Sequence, residues 1–198
     1  MSTRLLLVFS FILACSVSTG VVAKGGAGGV LYTSIQGTTY VLLADHRKGK
    51  RGWASFGGRL DGQLPIIAAA REIEEETNGL IKQAWASKML PDATFYKEKR
   101  KSSFYTTYFL EIPFKPAIQF TSTEVPKNKE GYGERGPYTW VPLHVLESAV
   151  FEYQKTKSKV QVPSEYLPPS KKTSWFWKKF LRNLSRAQKD GVWPWPKE

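Results

Sequence analysis

The sequence predicts an α/β fold, in which a β-sheet is flanked by helices. Strand-like runs rich in aromatic and β-branched residues recur between residues 29 and 143, and residues 65–77 have the apolar spacing of an amphipathic helix. With 198 residues, of which 41% are hydrophobic and 14% aromatic, the chain can bury a core of its own. We therefore expect one compact domain with additional segments at its ends.

Residues 1–23 differ in character from the rest of the chain. A positively charged start is followed by an apolar run over residues 5–17 and by small residues just before Lys24. This order is typical of a secretory signal peptide, so we expect an exported protein, either secreted or periplasmic. One alternative is an uncleaved membrane anchor, for which the apolar run is short. The other is lipid attachment at Cys15, for which Leu13 is a large residue.

The charge of the chain is strongly basic, at +12, and it stays at +11 without residues 1–23, which contain Arg4 and no acid. Such a charge favours a polyanionic partner, which is a phosphorylated small molecule, a nucleic acid or an anionic membrane surface, although solubility alone also explains it. The sequence has no specific nucleic-acid-binding motif. Cys15 is the only cysteine, so the chain without its leader forms no disulfide.

The domain begins with a predicted hairpin. Residues 29–32 and 39–43 are strand-like and flank a turn at Gln36 and Gly37. The glycine-rich residues 24–29 ahead of them indicate a break between the leader and the domain.

A basic loop, residues 46–51, follows the hairpin. Its Arg47, Lys50 and Arg51 are candidates for binding substrate phosphates, because the loop leads directly into a glycine turn and an acidic helix. The alternative is an ordinary solvated loop.

The helix is bounded by clear start and stop signals. Pro65 suits the first helical turn, and Asn78 followed by Gly79 predicts the end of the helix. One side of the helix is apolar and is expected to pack inward, with Ile66, Ala69, Ala70 and Ile73.

A neighbouring side of the same helix is acidic. Glu72, Glu75 and Glu76 share a face, because positions three and four residues apart are neighbours on a helix. Carboxylates this close repel one another unless a cation lies among them, and Mg²⁺ or Mn²⁺ prefers oxygen ligands. The alternative is a solvated acidic face.

Two further strands are predicted after the helix. Residues 102–112 form an aromatic and β-branched run that indicates a core strand. Residues 138–143 form a later strand, which leads into a second helix over about residues 144–149.

Residues 57–80 resemble the Nudix box, whose pattern is G-x5-E-x7-R-E-U-x-E-E-x-G-U, where U is a bulky aliphatic residue. Residues 71–76 reproduce the R-E-U-x-E-E core, and Gly57 stands at the required distance ahead of it. Gln63 occupies the place of the first glutamate, and one extra residue near Asn78 lengthens the ending. The first glutamate of this family tends to support the loop and the helix.

The resemblance implies a Nudix fold with a mixed β-sheet flanked by helices, over residues 24–155. It implies a pyrophosphohydrolase that cleaves a phosphoanhydride bond in a nucleoside diphosphate derivative or a (di)nucleoside polyphosphate, with Mg²⁺ or Mn²⁺. The alternative is a catalytically weak Nudix fold that binds a polyanion or an anionic membrane surface.

The resemblance also implies roles for the acidic helix. Glu72, Glu75 and Glu76 would be metal ligands, Glu75 or Glu76 would also be the catalytic base, and Arg71 would orient a glutamate through an ion pair. A glutamate from the loop before the late strand would add a metal ligand or the base, with Glu134 the first candidate and Glu130 the second.

Tyr96 lies after the box, where relatives that act on dinucleoside polyphosphates tend to carry a tyrosine that stacks on a base. The resemblance therefore makes Tyr96 a candidate substrate-binding residue. The alternative is packing in the core of a strand.

Residues 156–198 are predicted to be a proline-containing linker and a basic aromatic helix. We expect the side with Phe176, Phe180 and Leu184 to dock against the domain. The alternative is a helix that lies on an anionic membrane surface.

Overall fold

A seven-stranded sheet organises the described part of the chain, residues 24–99 and 101–195 of a computed structural model. The strands are β1 (Gly25–Ile35), β2 (Thr38–His46), β3 (Trp53–Ala54), β4 (Phe56–Arg59), β5 (Thr94–Lys99), β6 (Phe104–Glu111) and β7 (Arg135–Pro142). The helices are α1 (Pro65–Glu76), α2 (Gln83–Met89), α3 (Ala117–Ser122), α4 (Leu143–Thr156) and α5 (Lys178–Lys189). The predicted signal segment, residues 1–23, lies outside the described residues. Within them, every helix is too short or too polar to cross a membrane.

The sheet is mixed, as predicted, and β1 is its centre. Strand β1 runs parallel to β6 and antiparallel to both β2 and β4. Strand β7 pairs antiparallel with β2, and β5 pairs antiparallel with β6. The mixed sheet with helices on its faces confirms the predicted α/β fold.

The predicted hairpin is confirmed, but the glycine-rich segment before it was interpreted wrongly. Gln36 and Gly37 form the two-residue turn between β1 and β2, with φ of 48° and 81°. The glycines of Gly25–Ile35 form the first half of β1 instead of a break. A Cβ on Gly28 would overlap the Phe56 carbonyl oxygen of the paired strand β4, so the close strand approach needs glycine there.

Helix α1 has the predicted bounds. Pro65 occupies its first turn, and the chain reverses after Glu76 because Asn78 and Gly79 take left-handed backbone conformations, with φ of 54° and 80°. The predicted apolar face packs on the sheet, and Ile73 is fully buried. The acidic face of α1 is thereby held at a fixed angle to strand β4.

The sheet has a hydrophobic core on each face. Neighbouring residues of β1 point to opposite faces, so Leu31 joins the core beneath α1 while Val30 joins the core beneath α4 and α5. Both residues are fully buried.

The C-terminal segment belongs to the second of these cores. Phe176 and Leu184 are fully buried and Phe180 is 6% exposed, so this side of the helix docks against the domain, as expected. The apolar side that a membrane-surface helix would need is covered by the domain. Trp195 closes the same core, with its ring 5.4 Å from that of Phe109. Residues 160–195 therefore contribute side chains to the domain core.

Candidate active site

A cleft of about 1080 Å³ opens beside the acidic face of α1. Its lining residues come from α1, from strand β4, from the loop before β7, from β6 and from the start of α5. The charged and polar lining residues include Arg51, Arg71, Glu72, Glu75, Glu76, Glu130, Glu134, Lys179 and Asn183, and Trp177 lines the cleft beside them.

Arg71 holds two of the predicted carboxylates together. Its Nη1 lies 2.9 Å from Glu72 Oε1 and 2.9 Å from Glu75 Oε2. Burial, followed by the charge of Glu76, raises the pKa of Glu72 to about 7, although Arg71 opposes the shift. Burial also raises the pKa of Glu75, against the effect of Arg71. The structure thus brings together the acidic residues that the helix spacing predicts.

Gln63 takes part in the same arrangement. Its Oε1 accepts a hydrogen bond from Arg71 Nε at 3.0 Å, while Arg71 Nη2 donates to the Arg59 carbonyl oxygen at 2.8 Å. Asp61 lies 3.1 Å from the same nitrogen. Gln63 therefore ties the loop before α1 to the helix as a neutral acceptor, which is the supporting role that the first glutamate of the box is expected to have.

Glu76 is held more firmly than the other two glutamates. It is 5% exposed, and its Oε2 accepts the Gly57 N–H at 2.7 Å. Its Oε1 accepts from Arg135 Nε at 2.7 Å. Burial raises the pKa of Glu76, while Arg135 and the Gly57 N–H oppose the shift. Glu76 therefore fixes the glycine turn against α1.

Arg135, which the sequence analysis missed, is the centre of a buried polar network. It is 2% exposed, and besides Glu76 it contacts His46 Nδ1 at 2.7 Å and the Ser55 carbonyl oxygen at 3.0 Å. Burial, followed by the charge of Arg135, lowers the pKa of His46 to about 3. The same Nδ1 lies 2.8 Å from the Gly52 carbonyl oxygen, so it can donate to Gly52 in one tautomer of the ring or accept from Arg135 in the other. The one signal in the sequence is a charged residue at the start of an otherwise apolar strand.

Only one of the three predicted phosphate-binding residues lies at the cleft. Arg51 lines it, whereas the exposed Arg47 and Lys50 are not among its lining residues. The backbone of Arg47 is instead tied to the neighbouring segments, since its N–H donates to the Glu134 carbonyl oxygen at 3.0 Å and its carbonyl accepts from Lys172 Nζ at 3.0 Å.

Tyr96 does not lie at the cleft, contrary to the prediction that it binds substrate. It is 8% exposed in the core beneath α4 and α5, and its hydroxyl donates to Asp190 Oδ2 at 2.7 Å. Strand β5 is an edge strand that the C-terminal segment covers, so the core-packing alternative describes this residue.

Both candidate glutamates of the loop before β7 line the cleft. Glu130 and Glu134 are exposed there, and the loop backbone approaches α1, since a Cβ on Gly131 would lie 2.5 Å from Glu75 Oε2. The loop therefore closes the cleft above the acidic face of the helix.

The donor chemistry of this cleft suits a hard divalent cation. Within residues 24–99 and 101–195, no three acidic, histidine or cysteine side chains are arranged around one point as metal ligands, and the carboxylates pair with Arg71 and Arg135. The carboxylates of Glu72, Glu75 and Glu76 nevertheless line the cleft together. Such oxygen donors are the ligands that Mg²⁺ or Mn²⁺ prefers.

Comparison with known proteins gives one family match and several distant structural similarities. The family model described as "NUDIX domain" matches residues 24–160. No curated protein matches the chain. An Ap4A hydrolase of C. elegans in a binary complex is 18% identical, with a TM-score of 0.43 and coverage of 84% of this chain and 98% of that one.

Two further solved structures are similar at the same distant level. The NUDIX domain of Shewanella oneidensis NrtR, complexed with ADP ribose, is 12% identical, with a TM-score of 0.47 and coverage of 85% of this chain and 88% of that one. A MutT/nudix family protein from Enterococcus faecalis is 12% identical, with a TM-score of 0.44 and coverage of 94% and 66%. Because the family match spans more than half of its length, the chain belongs to the NUDIX domain family and is a Nudix-type pyrophosphohydrolase.

Proposed function

We propose that this enzyme hydrolyses a phosphoanhydride bond in a nucleoside diphosphate derivative or a (di)nucleoside polyphosphate, with Mg²⁺ or Mn²⁺. The observation that carries the proposal is that one cleft contains the carboxylates Glu72 and Glu75 together with the cation Arg51. Carboxylates suit a divalent metal, and the cation suits the phosphates that such a metal binds.

The proposed ligands are Glu72, Glu75 and Glu76, with Glu134 as an additional one. Glu76 remains in this set because each carboxylate oxygen keeps a second lone pair beside its bond to Gly57 or Arg135. A bound divalent metal would neutralise negative charge on the phosphates of the substrate.

Glu75 is the proposed general base. Arg71 engages its Oε2 at 2.9 Å, which leaves Oε1 as the atom that accepts a proton from the attacking water. Burial raises the pKa of Glu75, which makes this carboxylate a better proton acceptor. Arg71 keeps the side chain in one orientation, and Gln63 in turn holds Arg71 at 3.0 Å.

The test compares Glu75→Gln with Glu74→Gln in protein that comprises residues 24–198. Phosphate and pyrophosphate release is measured over a panel of nucleotides with Mg²⁺ and with Mn²⁺. We expect Glu75→Gln to lower turnover by roughly two to four powers of ten through loss of a base or metal ligand. Glu74 is a matched control, because it accepts from the Gln83 N–H at 2.7 Å and does not line the cleft.

Two outcomes of this assay would contradict the proposal. Equal turnover of the two variants at saturating metal would remove Glu75 from the site. A wild-type protein that releases no phosphate from any nucleotide would favour the alternative of a catalytically weak fold that binds a polyanion.

We also propose that the enzyme acts after export. The support is the sequence of residues 1–23, with its positive start, apolar run and small residues before Lys24. Mass spectrometry of protein recovered from an exporting host should find the N-terminus at or near Lys24. An intact Met1 on protein recovered from the cytoplasm would contradict export.

A further inference from the structure

We propose that Arg51 and the first turn of α5 form a subsite for a phosphate group of the substrate, on the wall of the cleft that the C-terminal segment contributes. This inference rests on the proposed function, and it extends that function to residues beyond the family match, which ends at residue 160. Four observations carry it: the docking of the segment, a pair of cations without acidic partners, an uncapped helix N-terminus and a buried amide.

The C-terminal segment is fixed beside Arg51 by backbone pairing with β3. The Trp53 N–H donates to the Trp175 carbonyl oxygen at 2.9 Å, and the Trp177 N–H donates to the Trp53 carbonyl oxygen at 2.8 Å. The indole of Trp53, which is fully buried, donates to the Thr173 carbonyl oxygen at 2.9 Å. Trp177 is therefore held against the basic loop that ends just before β3.

Two cations share the ring of Trp177. The guanidinium carbon of Arg51 lies 5.9 Å from the ring centroid, and Lys179 Nζ lies 5.7 Å from it. Both side chains are exposed and both line the cleft. Among the residues that the structure describes, neither forms an ion pair with a carboxylate. Two positive charges beside one ring without an acidic partner favour an anion close to them.

The N-terminus of α5 adds backbone donors to these cations. Helix α5 has 12 residues, and Trp177, at its N-cap position, makes no capping hydrogen bond through its side chain. The Phe180 N–H donates to the Trp177 carbonyl oxygen at 2.9 Å, so the N–H groups of Lys178 and Lys179 are the backbone donors that remain for an anion, which the helix dipole favours there. Trp177, Lys179 and Phe180 all line the cleft, so this end of the helix lies at the cleft wall.

A buried amide on the next turn of α5 is an independent indication of a ligand. Asn183 lines the same cleft and is 7% exposed. Its Oδ1 accepts the Thr107 hydroxyl at 2.8 Å, whereas its Nδ2 has no hydrogen-bond partner within the described residues. A buried donor without a partner is costly unless a ligand supplies the acceptor.

A phosphate group fits this set of donors better than a carboxylate does, because it offers more acceptor oxygens to a guanidinium, an ammonium and backbone N–H groups at once. The same cleft contains Glu72 and Glu75. A substrate with several phosphate groups can place one of them at this subsite and another beside the carboxylates, so we expect nucleoside triphosphates or dinucleoside polyphosphates to use the subsite.

The first experiment compares Lys179→Gln and Arg51→Gln with Lys178→Gln in steady-state kinetics with a nucleoside triphosphate. We expect the first two variants to raise KM about tenfold each, with kcat within about twofold, since each loses a charge-assisted contact to a bound phosphate. Lys178 is a matched control, because it is an exposed neighbour with the same charge and is not among the lining residues. If all three variants give the same KM, the subsite is wrong.

The second experiment measures binding of inorganic tripolyphosphate by calorimetry, without metal, to the same variants and the wild type. We expect about tenfold weaker binding to Lys179→Gln than to Lys178→Gln. If the wild type hydrolyses no nucleotide but the two variants differ in tripolyphosphate binding as expected, the subsite stands and the proposed function fails. If tripolyphosphate binds both variants equally, the subsite is overturned, whether or not the enzyme is active.

Discussion

The buried contact between Arg135 and Glu76 allows a quantitative prediction about stability. Replacing Arg135 with methionine removes a guanidinium that is 2% exposed and donates to Glu76 at 2.7 Å, to His46 at 2.7 Å and to the Ser55 carbonyl oxygen at 3.0 Å. The Gly57 N–H would remain as the hydrogen-bond partner of Glu76 within the described residues. A carboxylate with 5% exposure would thus lose its counter-charge.

Breaking a buried ion pair from one side costs about 3–5 kcal/mol, because the other charge stays buried. For a domain of this size, 1 kcal/mol lowers Tm by about 2–4 °C. We therefore expect Arg135→Met to lower Tm by about 6–20 °C. Replacing both partners should recover most of the loss, because an apolar pair of similar volume leaves no buried charge.

The assay is thermal and urea unfolding in the presence of a chelator, so that metal binding does not contribute to the stability of the folded state. Arg59→Met is the matched control, because Arg59 is exposed and its change should stay within about 0.5 kcal/mol. A loss below about 1 kcal/mol for Arg135→Met would refute the reasoning. So would a double variant, Arg135→Met with Glu76→Met, that is no more stable than the single one.

Two further predictions concern residues that contact the guanidinium groups of the site. Gln63→Glu should leave turnover equal or higher and should lower the metal concentration that activity needs, because a carboxylate would pair with Arg71 and add negative charge near the metal ligands. Titration of activity with Mg²⁺ measures this effect. A large loss of turnover would contradict the prediction. His46 has a folded-state pKa of about 3, below the ordinary 6.5, so the unfolded chain takes up a proton between these pH values and stability falls as pH drops through that window. At pH 5 the loss is about 2 kcal/mol, and His46→Gln should remove that share of the pH dependence in urea unfolding. An unchanged pH dependence would show that His46 is not held neutral in the folded protein.

Local sequence was sufficient for the elements whose signals lie within a few residues. The turn at Gln36 and Gly37, the start of α1 at Pro65 and its end before Asn78 all formed where the sequence predicts them. Backbone conformation at such positions is set by short-range sterics and by the hydrogen bonds of one turn. The acidic face of α1 follows directly from the helical period.

Local sequence was insufficient where the function of a residue depends on a distant neighbour. The glycines of β1 look like a linker until β4 lies against them, and Tyr96 looks like a ligand-facing aromatic until the C-terminal segment covers β5. The family match covers the sheet but ends at residue 160. Only the structure could therefore show that the segment after residue 160 lines the cleft.

The sequence by itself determined the α/β fold, the acidic helix and the residues of α1 that face the cleft. The tertiary structure alone decided that Arg135 meets Glu76, 59 positions earlier in the chain, and that Trp177 and Lys179 meet Arg51. The physical reason is that helical spacing fixes which side chains share a face, whereas contacts between distant segments depend on how the whole core packs. A buried charge must find its partner through that packing, and no local pattern specifies which partner it will be.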